Sequence, residues 1–335
     1  MNKKLLLAGM LVAGAFALPS LAGAAMTGVC SNCHTMHASQ DGALPAGMTG
    51  TYGVTAYAHL LKGNGCAGCH VQGVGNDSTT GRSTTGAAIG APQVDDSTNS
   101  LAGGYFSAGA GDSTHHNVID AGIGGDGQLG NIPPGGSDLG AQLKCTDCHT
   151  GGGHHSNTGN DSSTWLDGTS TGASYRFLSG VQGVEDSDFG VAGGSGAANI
   201  YYGEQRAIGN DTTAGVDTIS ELCANCHGTF HTGAGTADTS TPPNWIRHPT
   251  DVSMPTGYQT NYGANYNPAV PVATNNTTDT TFTTTFVPAE ATVICLSCHQ
   301  AHGNGNADML RFSYAANVAG DTTAATGCET CHGAK

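Results

Sequence analysis

Six times along the chain, two cysteines separated by two residues are followed at once by a histidine. The units are Cys30-Ser-Asn-Cys33-His34, Cys66-Ala-Gly-Cys69-His70, Cys145-Thr-Asp-Cys148-His149, Cys223-Ala-Asn-Cys226-His227, Cys295-Leu-Ser-Cys298-His299 and Cys328-Glu-Thr-Cys331-His332. All 12 cysteines belong to them. C-x-x-C-H is the pattern of c-type haem attachment. Two thiols at this spacing reach the two vinyl groups of one porphyrin edge as thioethers, and the adjacent imidazole comes over the iron as proximal ligand. Other uses of paired cysteines fit less well. A disulfide scaffold has no need of a histidine after every second cysteine. Tetrahedral zinc takes two such pairs per metal. A thioredoxin-like redox motif needs a βαβ context that the pattern of residues does not offer. The expected cofactor is therefore six covalently bound haem c, with His34, His70, His149, His227, His299 and His332 on the proximal side.

Six irons closed on both faces need six further ligands. Of the 15 histidines, those outside the motifs are His37, His59, His115, His116, His154, His155, His231, His248 and His302. Methionines in the exported part are fewer and sit mostly beside Gly, Ala or Pro, so bis-His ligation is the economical assignment. Closed irons bind no substrate, and bis-His sites transfer electrons. His37 and His302 each lie three residues after a proximal histidine. On a short helical turn such a residue projects to the same side of its own haem as the proximal ligand, so it must serve a different haem. His231, four residues after His227, is open to the same use.

The elements that must hold these groups are sparse. In 335 residues there are 53 Gly, charged residues are only 10% and the formal net charge is −15. Leu, Ile, Val and Phe together make up about 16% of the chain, below the ~20% at which burial offsets chain entropy. The macrocycles are expected to act as the interior, with the chain wrapped around a stacked haem array. A compact chain of this length has a radius of gyration of about 20 Å, so haems in that volume must lie edge to edge or face to face. Short helices are expected at the attachment motifs, most of the remainder as coil, and few strands, with 280–287 read as one. Gly75-Asn-Asp-Ser-Thr79 recurs as Gly159-Asn-Asp-Ser-Ser163 and Gly209-Asn-Asp-Thr-Thr213, a composition that suits Asx turns.

The N-terminus reads as a secretory signal over 1–24. Lys3 and Lys4 precede an apolar stretch from Leu5 to Leu18, and small residues allow cleavage after Ala24 or Ala25. Residues 25–335 read as a single haem-bearing domain. No stretch is long and apolar enough for a membrane span. The negative field argues against nucleic acid or an anionic membrane surface as partner.

Several segments are similar to the OmcS-type hexahaem outer-surface cytochromes of metal-reducing bacteria. They are Cys30–His37 (CSNCHTMH), Ile219–His231 (ISELCANCHGTFH) leading to Arg247-His248-Pro249, Val293–His302 (VICLSCHQAH) with Met309-Leu-Arg-Phe312, and Cys328–Lys335. His116-Asn117-Val118 resembles a family segment that contains a distal ligand. The resemblance implies a multihaem cytochrome c fold and bis-His ligation throughout. His37, His116, His231, His248 and His302 are the implied distal ligands. The family pattern places a distal histidine close behind the third motif, where here Gly151-Gly152-Gly153 intervenes before His154 and His155; His154 is favoured of the two for the remaining place. His59 has no counterpart. The family assembles into extracellular filaments, and the resemblance implies that His37 reaches the haem of Cys295, Cys298 and His299 in a neighbouring copy. The partners so implied are copies of this chain, end to end, and redox proteins at the cell surface. The location implied is the outer cell surface or beyond, reached through the periplasm.

Three functions are compatible with the residues: a polymeric electron conduit outside the cell, a monomeric periplasmic electron carrier, and a multihaem reductase. The reductase needs an open iron. No C-x-x-C-K unit is present, and the histidines outside the motifs exceed the vacancies, so a non-enzymatic electron carrier is the expectation.

Overall fold

Helix forms in this chain mainly where haem attachment calls for it. In the computed structural model, which describes residues 33–35, 37, 57–61, 65–71, 92–95, 97, 101–106, 114–119, 130–149, 154, 165, 178, 180–186, 198–206, 217–231, 248–318, 320 and 326–333, three single-turn helices carry attachment residues. They are α1 (Ala67–His70), α2 (Cys145–Cys148) and, at the far end of the chain, α5 (Glu329–His332). The segment read as a signal, Cys30, His155 and the three Gly-Asn-Asp repeats lie outside the described residues.

Helix α3 (Ile219–His231) is the long one, at 13 residues. Thr218 starts it: its hydroxyl accepts the backbone N–H of Glu221 at 3.1 Å, the N-cap bond that satisfies one of the open donors of a first turn. The backbone leaves helical geometry at His227 (φ −110°, ψ 41°), so the proximal histidine sits on a kink. Helix α4 (Thr256–Tyr262) falls outside any attachment motif, against the expectation that helices are confined to them. Pro255 opens it and Gly263, at φ 97°, ends it. Its place is set by tertiary contact: Asn261 donates to the Cys331 carbonyl at 2.9 Å, tying α4 to α5.

The strands are short. β1 (Gly183–Val184) pairs antiparallel with β2 (Ile200–Tyr201), Gly183 opposite Tyr201. β3 (Val252–Ser253), β4 (Ala273–Thr274) and β5 (Ala291–Val293) form a second sheet in the order β3-β5-β4, with Val252 opposite Val293 and Ala273 opposite Thr292. Residues 280–287 are not a strand. Thr281 accepts the backbone N–H groups of Thr284 and Thr285 at 2.7 and 2.8 Å, closing a turn, and Asp279 accepts the Thr281 N–H at 2.8 Å. Local hydroxyl and carboxylate bonding prevails over the β-preference of threonine. Phe282 and Phe286 then meet on one side at a centroid distance of 5.2 Å.

The interior also departs from expectation, because side chains do build one in the C-terminal half. Phe282, Val272, Ala291 and Val184 pack with Met254 and Tyr262 in one cluster, and Val181, Ile294, Leu296 and Tyr201 in another. The scarce apolar residues are concentrated rather than spread. Toward the N-terminus the cluster is small: Ala67, Val71, Phe106 and Val118.

One local structure occurs twice. The 3-10 turns Ala58–Leu60 and Ala307–Met309 each place two successive non-glycine residues in the left-handed region, His59 and Leu60 at φ 58° and 59°, Asp308 and Met309 at φ 57° and 54°. In both, the next residue bridges to a proximal histidine, Leu61 to His34 and Leu310 to His299. In both, the second left-handed residue accepts the N–H of the residue after that histidine, Leu60 from Thr35 at 2.8 Å and Met309 from Gln300 at 2.9 Å. The first and fifth attachment sites therefore rest on the same bracket.

Candidate haem-binding sites

A ligating imidazole must present one nitrogen lone pair to the metal, and a hydrogen bond at the other nitrogen fixes which one. Four of the motif histidines are held in this way. His34 Nδ1 donates to the His59 carbonyl at 3.0 Å, and His70 Nδ1 to the Pro92 carbonyl at 2.8 Å. His227 Nδ1 donates to the Pro134 carbonyl and His299 Nδ1 to the Asp308 carbonyl, both at 2.8 Å. A carbonyl only accepts, so the proton is on Nδ1 and the Nε2 lone pair is free for iron. The acceptors of His34 and His299 come from the repeated bracket. His59 thus takes part through its backbone, while its side chain is exposed.

Four of the histidines outside the motifs are each brought up to a motif histidine. The ring centroids of His70 and His154 lie 6.1 Å apart, those of His149 and His302 6.1 Å, those of His116 and His227 6.0 Å, and those of His248 and His332 6.1 Å. Two imidazoles on opposite faces of one metal, with metal–nitrogen bonds of roughly 2 Å, put their ring centres about 6 Å apart. The donor set and its spacing fit a haem iron between each pair. Each pair joins distant parts of the chain, and His302 faces the third motif although it follows the fifth.

The distal rings are also oriented from behind. His116 Nδ1 donates to the Ala301 carbonyl, and His248 Nδ1 to the Pro249 carbonyl at 2.9 Å. The His302 ring stacks on Phe106 at 5.1 Å and 27°. Its loop is sealed by close backbone approach: Gly104 and Gly303 bridge one another, and a Cβ on Gly104 (φ 84°) would collide with the Gly303 carbonyl. Withdrawal from water pushes His302 down to about 3, helped by the nearby His149, and burial likewise lowers His116 and His299. All three rings are held neutral, the form that binds metal.

Two predicted ligands are placed differently. His37 is exposed. His231 is buried at the end of α3, where its Nε2 lies 3.0 Å from Asp251 Oδ2, which also accepts the Thr218 hydroxyl at 2.7 Å. The carboxylate bond raises the His231 pKa. His115, adjacent to His116, stands edge-on to Phe106 at 6.2 Å.

Burial pushes the Cys148 thiol up to about 11, Cys298 to about 12 and Cys331 to about 11. Such sites disfavour thiolate, which suits a neutral thioether better than a metal-bound sulfur. The Cys223 and Cys295 sulfurs share a hydrogen bond, so the attachment edges of the fourth and fifth sites touch. Among the described residues, no group of three or more His, Cys, Asp or Glu converges as a bare metal site. None of the described helices is long and apolar enough to cross a membrane. Backbone carbonyls as anchors of the proximal rings carry no residue-type signal, and only the positions of Pro92 and Pro134 hint at rigid acceptors.

Residues 288–335 match the family model of the doubled CXXCH motif. The outer membrane cytochrome S filament structure from Geobacter sulfurreducens superposes with a TM-score of 0.52 at 20% identity, over 90% of this chain and 88% of that one. In fold, the chain is similar to that filament cytochrome. The C-type cytochrome OmcS of Geobacter sulfurreducens is 26% identical over 360 residues, covering 85% of this chain and 79% of the relative. The OmcS-type architecture accounts for the mostly irregular backbone. The attachment motifs and the c-type cytochrome relative support covalently bound haem c as the group that these sites take.

Proposed function

We propose that this chain carries electrons outside the cell through six bis-His c-type haems, as the subunit of an end-to-end cytochrome filament delivering electrons to external acceptors. The observation that supports it best is the set of imidazole pairs at 6.0–6.1 Å, each drawn from separate stretches of sequence. In this reading His154 serves the haem of His70, His302 that of His149, His116 that of His227, and His248 that of His332. His231 would be the fifth of the distal set, giving up its bond to Asp251, and His37 the sixth.

Bound haem supplies reversible one-electron chemistry at its iron. The protein's residues do the rest. Backbone carbonyls hold the proximal tautomers, neutral histidines close the far faces, and the neighbouring Cys223 and Cys295 bring adjacent attachment edges together. With each iron closed, the chain binds no small substrate and is not an enzyme. The solved structure is named as an outer membrane cytochrome filament, which supports polymerisation and a position outside the cell.

His37 is the residue proposed to join the copies. It is exposed, as a ligand offered to another chain must be, and the haem to receive it is that of Cys295, Cys298 and His299 in the neighbour. The first and fifth sites share a bracket, and at the fifth the histidine three residues on, His302, faces a haem other than its own. The test is H37A, examined by electron microscopy together with its haem content. Loss of filaments with full haem content supports the proposal. Normal fibres from the variant would remove the cross-subunit ligand.

A further inference from the structure

Arg311 holds the attachment loop of the fifth site from inside. Its backbone N–H donates to the Cys298 carbonyl at 2.8 Å. Its Nε donates to the Leu296 carbonyl at 2.6 Å and the His299 carbonyl at 3.1 Å, and its Nη2 to the Ala102 carbonyl at 3.1 Å. Every acceptor is a neutral carbonyl. The titratable groups that face it are Tyr201, Tyr266 and Cys298, with no carboxylate. Asp308 is the acid beside His299, and its side chain is exposed, where water screens it. Burial lowers the Arg311 pKa, yet a guanidinium keeps its proton at any working pH.

A fixed positive charge with no protein counter-ion so close to an iron ligand has a definite consequence. Reduction of Fe(III) to Fe(II) adds one electron and takes up no proton here, so the site becomes less positive by one unit. A neighbouring cation disfavours the more positive oxidised form, and it does so strongly where the effective dielectric is low. We propose that Arg311 sets the reduction potential of the haem held by Cys295, Cys298 and His299, holding it higher than the ligands alone would. This rests on haem attachment at that site and goes beyond it, because it gives one haem of the chain its own electrostatic control.

The test is potentiometric titration of the purified, haem-loaded protein, with intact mass measured alongside. R311M removes the charge at similar volume, a change that interiors often tolerate. R311K keeps the charge but loses the planar fork. In R311M one of the resolved one-electron steps is expected to move to lower potential, by at least a tenfold change in the Fe(III)/Fe(II) ratio, about 59 mV for a one-electron couple. In R311K it is expected to move by less than about a third of that, with haem mass unchanged in both. Unmoved steps in R311M overturn the assignment. So does an equal shift in R311K, or loss of one haem from both variants, either of which makes Arg311 a scaffold only. A wild-type chain whose mass includes no haem would instead sink the reading on which the proposal rests.

Discussion

At the residue scale the account turns on single imidazoles. His302 is the most constrained: Phe106 stacks on it, water is withdrawn from it, and its ring faces His149 at 6.1 Å. Replacing it opens one iron and leaves the attachment chemistry untouched. H302A is expected to bind CO at one haem per chain when reduced, whereas the unaltered protein binds none promptly. A CO difference spectrum identical for the two would show that His302 closes no haem. The motif histidines stand out in the sequence because attachment demands a fixed spacing. Their carbonyl partners were not, since His59, Pro92, Pro134 and Asp308 act through backbone atoms that every residue carries. His154 and His302 needed the fold to show which motif each faces, because contact between distant segments leaves no periodic mark.

At the element scale, close approach of backbones positions the ligands. Gly104 and Gly303 allow residues 101–106 to lie against the loop that presents His302. G104A adds a methyl that meets the Gly303 carbonyl, at a φ of 84° that alanine adopts only with strain. The expected cost is about 1–3 kcal/mol, with a displaced His302. Thermal unfolding followed in the Soret band reads both: a lowered midpoint together with a disturbed low-spin spectrum at one haem. An unchanged midpoint would mean that the two segments do not depend on this contact. The same scale explains what the sequence misrepresented. Thr280–Val287 looks like a strand by composition, but the spacing of Phe282 and Phe286 fits a tight turn that puts both rings on one side. Helix α4 has weak helix formers, and its position depends on Asn261 meeting the Cys331 carbonyl in α5.

At the scale of the whole molecule, two kinds of interior coexist. The C-terminal half has a side-chain core around Phe282, which is fully buried against Tyr266 and Phe286. F282A is expected to destabilise that half by about 3–5 kcal/mol, seen as a lower guanidinium midpoint in the haem-loaded protein. The haem count should not change, and a variant as stable as the parent would show that this core does not limit unfolding. Among the described residues of the N-terminal half, the cluster around Phe106 is small, and the order of this half is expected to depend on the cofactor. Chain exported without haem ligation is expected to lose structure there first, seen as rapid proteolysis within 57–119. Protection of that stretch without haem would contradict a cofactor-built interior.

The central claim is that every iron in the chain is held by histidine on both faces. Electron paramagnetic resonance of the fully oxidised protein, quantified against haem and protein concentration, tests it most directly. The account predicts six haems per chain, all low-spin, with g values of bis-imidazole ligation and no high-spin signal. A stoichiometric high-spin iron in the assembled protein, or fewer than six haems per chain, would contradict it.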